Sequence, residues 1–578
     1  MDLRSLMQKR PKTFYLTVSS LSAAFGLGLS PSLGPLSVLI AILLLYAPIL
    51  YHRFRQHRIA NIFMLWLSLA LFGSVGRLSP TLTALSTAGP SIAVLLGLNC
   101  VTSALSISAI FADIFIRSRT GWSQTTLFPA IWTTLWAATA YSPLGRLSAW
   151  SPILSTGSYA WMAPWVGMLG IDWVAASWAV VISRNIGAWF MGQPDSELEL
   201  EREHVNSKSR STLASTWTLL GVLTALTIPS YIISNVPHSV SPSESTTPLV
   251  VGCALPSPAF SRYNVTSFGL DEYIHASKTM DPARIILWPE GAVSFKDENE
   301  KTEAFERIAF EIGRAGTYWA VSFDEKIRDP SNPKKRIQRT GLAIISNQTA
   351  TPHVEYYKRS LVPIAESFRF IPGTAPPPLF ELQLPVPKGV SKATWGKRPI
   401  DLTASICMDF TMPSVFDTLP SRPTLILAPG NTWDRAIGSR MWEEVKQRAN
   451  EVGSIALWCD GGEGGMSGVV GGGYNDIYQM GEGSWIRTIG LPHPYDTTPT
   501  FYARFGGFPA LLLGWALVGA AILPWSLALL HYKKSHPHRL SLQAAAWVHS
   551  RITGQTARIE QPVEPTNSAI REARLIEV

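Results

Sequence analysis

Long apolar runs separated by short polar connections occupy residues 13–234, and one further run lies near the C terminus. A run of about 17 to 25 apolar residues is long enough to cross a bilayer as a helix. By this criterion the sequence predicts eight membrane spans, at about 13–29, 34–51, 59–76, 92–116, 125–142, 158–183, 213–234 and 508–531. Because a second run follows the first at once, the first is interpreted as an anchor and not as a cleaved signal peptide.

Basic residues are concentrated in every second connection between the predicted spans. The connections rich in them hold Arg4, Lys9, Arg10 and Lys12; Arg53, Arg55 and Arg58; Arg117 and Arg119; Arg184, Arg202, Lys208 and Arg210; and Lys533, Lys534 and Arg539. The alternate connections hold none, Arg77 alone and Arg146 alone. Since positive residues favour the cytoplasmic side, the tails 1–12 and 532–578 are predicted to be cytoplasmic. The segment 246–505 is then extracytoplasmic, on a lumenal or cell-exterior face.

The pattern changes in the segment 246–505, where short apolar strands alternate with charged amphipathic helices. Residues 284–288, 318–323 and 424–427 have the pattern of buried strands. Phe305, Ile308 and Ile312 recur at the spacing of one helix face. Strands that alternate with helices predict a layered α/β domain of about 250 residues, inserted between the bundle 13–234 and the last span.

Composition agrees with a membrane protein and excludes several other classes. The chain of 578 residues is 46% hydrophobic and only 16% charged. Its formal charge of +8 is accounted for by the basic connections, so no nucleic-acid partner is predicted. Four cysteines are too few and too dispersed for a disulfide scaffold or a zinc site, and no metal or cofactor is predicted. Whether Cys253 and Cys459 form a disulfide on an oxidising face stays open.

Three residues of different chemistry follow predicted strands of the α/β domain: Glu290, Lys358 and Cys407. Strand ends of layered α/β folds converge on a shared crevice. A cysteine thiol is a nucleophile only as thiolate, and a nearby carboxylate can take its proton. A lysine ammonium beside both can stabilise the oxyanion of a tetrahedral intermediate. Together, these residue types suit acyl transfer through a thioester.

The residues around these three side chains form motifs in a recognisable order. They are WPEGA at 288–292, YKRSLVPIAE at 357–366 and ICMD at 406–409. This set resembles the nitrilase (carbon–nitrogen hydrolase) superfamily, and within it the apolipoprotein N-acyltransferases. The resemblance implies a nitrilase-like αββα sandwich inserted between the seventh and eighth of eight membrane helices. It also implies that Glu290 is the general base, Lys358 the electrostatic stabiliser and Cys407 the nucleophile.

Further site residues follow from the same motifs. Glu366 matches a second glutamate, which is expected either to orient Lys358 or to cap a turn. The backbone N–H of Met408 is a candidate oxyanion donor because it follows the nucleophile directly. Asp409 stands where the family has a glutamate.

The loop after Pro429 departs from the pattern of the family. Asn431 and Trp433 are retained in it and are assigned to substrate binding. A glycine-rich stretch at 461–473 is expected to form a flexible loop over the site, because it lacks the ending of a phosphate-binding loop. In the membrane bundle, Asp172 is expected to make an interhelical hydrogen bond or, as the alternative, to contact a lipid headgroup.

The leading functional hypothesis is a membrane-bound N-acyltransferase, monomeric and without a cofactor. It would move an acyl chain from a membrane phospholipid to an amine that the sequence does not identify. Two alternatives remain. One is a membrane-anchored amidohydrolase in which water attacks the thioester, and the other is a non-enzymatic lipid-binding scaffold.

Overall fold

A computed structural model of the chain describes residues 11–30, 32–45, 58–84, 87–116, 120–142, 145–146, 150, 157–191, 203–233, 235–257, 268–329, 332–363, 365–387, 390 and 396–520. Met1–Val518 belong to one compact unit. Gly519–Val578 belong to a second, of which Gly519 and Ala520 are described. The features below lie in the first unit.

Apolar helices form the N-terminal part of this unit. They are Pro11–Gly26, Gly34–Leu45, Arg58–Val75, Leu78–Ala84, Ala88–Phe115, Gly121–Ala140, Ala163–Met191, Glu203–Ala225 and Pro229–Ile232. A 3₁₀ turn, Gly157–Met162, precedes the helix Ala163–Met191. The helices Phe501–Phe505 and Phe508–Ala520 follow the last strand of the α/β part and return to the bundle. Trp122 Nε1 donates to Leu517 O (2.9 Å), which joins the last helix to an early one.

The prediction of eight spans is wrong: fewer of the described helices could cross a bilayer. Three of them are long and apolar enough to cross a bilayer, namely Ala88–Phe115, the helical stretch Gly157–Gly187 and Leu213–Ile232. A fourth is possible if Ile59–Val75 and Leu78–Ala84, which meet at 69°, are taken as one broken span. Apolar runs therefore overcount the helices that meet this criterion.

Length and polarity explain the difference between the two counts. Pro11–Gly26 has 16 residues, fewer than a bilayer requires. Gly121–Ala140 has 20 residues, but its many threonine and serine side chains lower its hydropathy, and most of its side chains are buried against other helices. Gly34–Leu45 and Phe508–Ala520 are described over 12 and 13 residues, and the remainders of their predicted spans, 46–51 and 521–531, lie outside the described residues.

Two β-sheets form the core of the α/β part, as the strand–helix alternation predicts. The strands of the first sheet are β1 (Thr246–Cys253), β2 (Ile285–Leu287), β3 (Val293–Phe295), β4 (Tyr318–Asp329), β5 (Asn332–Ser346), β6 (Thr349–Tyr357) and, last in the chain, β13 (Trp485–Pro492). Their order is β13-β1-β2-β4-β5-β6, with β3 beside β4. Since β2 is parallel to β4, and β5 is antiparallel to both β4 and β6, the carboxyl ends of β2 and β6 lie at the same edge.

The second sheet consists of β7 (Phe380–Pro385), β8 (Lys397–Ala404), β9 (Leu425–Gly430), β10 (Ile455–Asp460), β11 (Met466–Gly471) and β12 (Tyr474–Met480). Its order is β12-β11-β10-β9-β8-β7, in which β8, β9 and β10 are parallel. The residues that follow these three strands therefore also share one edge.

The two sheets pack face to face, and helices cover their outer faces. Side chains of both sheets, such as Leu287 and Leu427, share one buried cluster. Helices Leu270–Thr279 and Glu298–Glu311 pack on the first sheet, and helix Arg435–Val452 packs on the second. The predicted four-layer αββα arrangement is confirmed for this part of the chain.

A disulfide between Cys253 and Cys459 joins the two sheets through this core. Cys253 ends β1 and Cys459 lies in β10, and both side chains are fully buried. Their Cα atoms are 5.5 Å apart, although the residues are 206 positions apart in the sequence. The structure thus answers the question that the sequence left open.

Replacing Cys253 and Cys459 together by alanine is expected to lower the free energy of unfolding by about 2–5 kcal/mol, because the closed loop is long. Thermal unfolding in detergent measures this, with Cys100→Ala as the control that removes a free cysteine. Thiol titration of the denatured, unreduced protein should find two free thiols, Cys100 and Cys407. Four free thiols would contradict the disulfide.

Buried charges connect the helical part to the helix Arg435–Val452. Arg146 Nη1 pairs with Asp172 Oδ2 at 3.0 Å, so the predicted hydrogen bond of Asp172 is an ion pair. Arg440 donates to Arg146 O (2.8 Å), and the main-chain N–H of Met168 donates to Glu451 Oε1 (2.7 Å). All four charged side chains are at most 1% exposed, so this junction is a buried polar contact between the bundle and the α/β part.

Candidate active site

Glu290 lies in the turn that follows β2. Its main-chain N–H donates to Gly430 O (3.2 Å), which connects the turn to the end of β9 in the other sheet. The next residue, Gly291, has φ +64°, a conformation that glycine adopts without steric cost. The Glu290 side chain is 8% exposed, so its carboxylate is held in a nearly dry crevice between the sheets.

Lys358 follows β6 and reaches the same crevice. Its main-chain N–H donates to Thr340 O (2.9 Å), and its carbonyl accepts from Gly373 N–H (2.7 Å). Its ammonium donates to Glu290 Oε1 at 2.6 Å and to Glu366 Oε1 at 2.7 Å. The side chain is 1% exposed, so these two carboxylates supply the charge partners that burial requires.

Glu366 combines both arrangements considered from the sequence. One carboxylate oxygen accepts from the Lys358 ammonium. The other accepts from the main-chain N–H of Val362 (2.8 Å), which closes the turn between the two residues. Glu366 therefore contacts the lysine and caps the turn at the same time.

Cys407 begins a 3₁₀ turn, Cys407–Thr411, shortly after β8. Its φ of +43° makes it the one non-glycine residue with a positive φ in the described ranges. Backbone in this region costs about 1–3 kcal/mol and is concentrated at functional sites. The charges of Glu290 and Lys358 both act on the pKa of the Cys407 thiol, so the three groups are close enough to interact. The structure thus brings the three predicted side chains together.

Asp409 holds the turn Cys407–Thr411 against the turn that follows Lys358. Its Oδ1 accepts from the main-chain N–H groups of Arg359 (3.1 Å) and Ser360 (2.6 Å). Its Oδ2 accepts from the Ile406 N–H (3.1 Å) and the Tyr356 hydroxyl (2.9 Å). Asp409 is 1% exposed, and its role is to position the two turns. Met408 lies in the same turn, and its part as an oxyanion donor stays a prediction.

The residues assigned to substrate binding lie on the loop after β9. Asn431 is exposed, whereas Trp433 is half-buried and donates from Nε1 to Pro80 O (2.8 Å) in the helical part. Trp433 thus joins the loop to the short helix Leu78–Ala84. A substrate-binding role for either residue stays a prediction.

Asp460 is a site residue that the sequence reasoning missed. Its carboxylate accepts from Thr432 N–H (2.9 Å), Thr432 Oγ1 (2.7 Å) and Gly462 N–H (3.1 Å). It therefore connects the loop after β9 to the glycine-rich stretch. Asp460 ends the apolar strand β10, and Glu290 and Cys407 likewise stand at or just after strand ends. This position was the sequence signal that could have identified Asp460.

The glycine-rich stretch is not a flexible loop over its whole length. Residues 461–465 form a tight turn against Thr432 and Asp460, and Met466–Gly471 are strand β11. A Cβ atom at Gly462 would lie 1.7 Å from Thr432 O, so the close approach of the backbones requires glycine there.

Burial and mutual charge determine the protonation of the three central groups. Burial, reinforced by the charge of Glu366, raises the pKa of Glu290 to about 7, even though Lys358 opposes the shift. Burial would lower the pKa of Lys358, but the charges of Glu290, Cys407 and Glu366 outweigh it and hold that pKa well above its usual range. Burial and the charge of Glu290 raise the pKa of the Cys407 thiol well above its ordinary value.

This arrangement suits nucleophilic catalysis with a base. At neutral pH the thiol is protonated and the lysine is charged, while Glu290 titrates near the ambient pH. A carboxylate with such a pKa takes a proton and returns it with little free-energy difference. A buried ammonium close to the thiol can offset the negative charge that develops when a thiolate attacks a carbonyl.

Neither a protein-family model nor a curated protein matches the chain. Solved structures of an amidase from Nesterenkonia sp. AN1 are similar to it. A mutant with the acetamide moiety of fluoroacetamide added covalently at the active-site cysteine is 18% identical, covering 46% of this chain and 97% of that one, with a TM-score of 0.31. A mutant in complex with butyramide is 18% identical, covering 45% and 94%, with a TM-score of 0.29. A further mutant, described as from the nitrilase superfamily, is 18% identical, covering 42% and 91%, with a TM-score of 0.28. At these values a function has to be argued from the site itself.

Proposed function

We propose that the protein is a membrane-bound N-acyltransferase of the carbon–nitrogen hydrolase superfamily that works through a thioester on Cys407. The observation that carries this proposal is the buried Lys358 ammonium in contact with both Glu290 and Glu366, with the Cys407 thiol close enough for the charges of all three to act on its pKa. Such a site provides a nucleophile, a base and a cation without any further group.

The proposed reaction has two half-reactions. Glu290 takes the thiol proton, and the Cys407 sulfur attacks the ester carbonyl of a membrane phospholipid. The tetrahedral oxyanion faces the Lys358 ammonium; the C–O bond then breaks, and the lysophospholipid leaves with the proton from Glu290. An amine next attacks the thioester carbonyl and gives a proton to Glu290. The C–S bond breaks, the amide leaves, and the sulfur recovers the proton.

Two features support a lipid donor on an extracytoplasmic face. The helical part exposes large apolar side chains, among them Phe25, Phe63 and Phe115 at 84%, 53% and 80% exposure, as a lipid-facing surface would. The Cys253–Cys459 disulfide favours an oxidising compartment for the catalytic part. This agrees with the orientation that the basic connections predict.

The proposal predicts an acyl-enzyme after incubation with a phospholipid that carries a labelled acyl chain. Intact-mass spectrometry should show one added acyl group, and peptide mapping should locate it on Cys407. Cys407→Ala should show no such mass, whereas Cys100→Ala, which removes the other free cysteine, should retain it. Addition of an amine should discharge the acyl group as an amide.

Two results would contradict acyl transfer and favour the alternatives. Release of ammonia from small amides, with no acyl-enzyme from phospholipid, would indicate an amidohydrolase. Lipid binding without acyl-enzyme or hydrolysis would indicate a scaffold.

A further inference from the structure

A polar recess of about 400 Å³ lies beside the catalytic crevice, between the helical part and the α/β part. Its walls come from four places in the chain. Tyr141 and Ser142 follow the helix Gly121–Ala140, Arg359 and Ser360 follow Lys358, and Pro372 to Thr374 lie further along the same loop. Asp409, Met412, Ser414 and Val415 lie in or just after the turn Cys407–Thr411. The recess thus adjoins both the lysine and the cysteine segments of the site.

The groups around the recess are donors suited to a phosphate. Its lining residues include Arg359, which carries a guanidinium, and Tyr141, Ser360, Thr374 and Ser414, which carry hydroxyls. Guanidinium and hydroxyl groups are the usual partners of phosphate oxygens. Burial raises the pKa of Asp417, two positions beyond Val415, while the charges of Arg448 and Arg359 oppose the shift, so Arg359 is close enough to Asp417 to interact with it.

Asp409, the carboxylate in the recess wall, is occupied by donors of the protein. Each of its oxygens accepts hydrogen bonds from the two turns described above. Four such bonds compensate its charge, and its side chain is buried. Asp409 therefore does not oppose an anion in the recess, whereas Asp417, with which Arg359 interacts, lies nearby and would compete for the guanidinium.

The surroundings of Tyr141 favour a lipid as the source of the phosphate. The Tyr141 hydroxyl accepts from Gly507 N–H (3.4 Å). On either side of Gly507 lie Phe505 and Phe508, which are 55% and 67% exposed. Exposed aromatic side chains at the end of apolar helices are typical of the membrane–water interface, the level at which headgroups lie.

We propose that this recess binds the phosphate of a glycerophospholipid, with Arg359 as its charged partner. The inference rests on the proposed acyl transfer, which it deepens by assigning a headgroup site. In such a lipid, only the glycerol unit separates the phosphate from the ester carbonyls. A phosphate held by Arg359 and Ser360 would therefore keep an ester close to Lys358 and Cys407, which adjoin the recess walls in sequence.

Binding to the Cys407→Ala protein tests the site without turnover. Native mass spectrometry in detergent gives the Kd for phosphatidylglycerol and for diacylglycerol with the same acyl chains. Adding Arg359→Ala should weaken phosphatidylglycerol binding about 10–100-fold, the effect of losing a charged hydrogen bond, and diacylglycerol binding less than about twofold. Arg359→Lys should recover part of the lost affinity. Arg314→Ala, at an exposed arginine outside the recess, should leave phosphatidylglycerol binding unchanged.

Several outcomes would overturn the headgroup site. One is an equal loss of affinity for both lipids in Arg359→Ala, which would indicate a general structural effect of the substitution. Another is an unchanged affinity for both lipids. If inorganic phosphate displaces phosphatidylglycerol at a concentration similar to that of the lipid, the recess serves free phosphate. A wild-type protein that gains no acyl group but binds phosphatidylglycerol through Arg359 would contradict the acyl transfer alone.

Discussion

Replacing Glu290 by glutamine is expected to lower the rate of Cys407 acylation by about 10²–10⁴-fold, the range attributed to a general base. Glutamine retains the size of the side chain and can still contact the Lys358 ammonium, but it cannot accept the thiol proton. Since the pKa of the buried thiol lies well above its ordinary value, little thiolate forms without the base. Single-turnover acylation followed by mass spectrometry measures this rate.

The pH dependence of the same rate gives a second readout. Glu290 must be ionised to act as base, and its pKa is raised to about 7. The rate of the wild-type protein should therefore rise with pH and level off above about pH 7. Glu290→Gln should lose this rise, which is the rising limb of the pH–rate profile. The control Glu303→Gln, at an exposed glutamate of the helix Glu298–Glu311, should keep both the wild-type rate and the rising limb. An unchanged rate in Glu290→Gln would exclude Glu290 as the base.

Much of the catalytic part could be predicted from sequence because its signals are local. Short apolar runs ending in Pro or Gly indicated strands, and the helix face of Phe305, Ile308 and Ile312 is buried as expected. Glu290, Lys358 and Cys407 each follow such a strand, and the structure brings them together, with a hydrogen bond from Lys358 to Glu290. Parallel strands with aligned carboxyl ends bring together residues that are distant in sequence.

The remaining features depend on contacts that no local pattern contains. Asp460 has a role only because β9 and β10 are neighbours, which brings Thr432 and the glycine turn to its carboxylate. The disulfide likewise depends on how the two sheets face each other. In the helical part, an apolar run shows that a segment is buried but not whether lipid or another helix buries it. Gly121–Ala140, which is packed among other helices, was therefore predicted as a span.

Replacing Lys358 by methionine is expected to affect both rate and stability. Without the ammonium, the acylation rate should fall by about 10²–10³-fold, as for the loss of an oxyanion donor. Glu290 would also be left buried without its cation, and removal of one partner of a buried pair costs about 3–5 kcal/mol. Methionine is chosen because it fills a similar volume without a charge. Acylation kinetics and thermal unfolding of the same preparation measure the two effects.

The direction of the pH shift separates these effects from a general loss of structure. The charge of Lys358 lowers the pKa of Glu290, so its removal should move the rising limb of acylation from about pH 7 to higher pH. Lys278→Met, at a lysine that is 50% exposed in its ion pair with Glu311, should change stability by at most about 1 kcal/mol and leave the limb in place. If Lys358→Met lowered stability but kept the wild-type limb, the contact between Lys358 and Glu290 would not control the base. If the acylation rate were also that of the wild-type protein, the ammonium would have a structural role alone, and the proposed stabilisation of the oxyanion would need another donor.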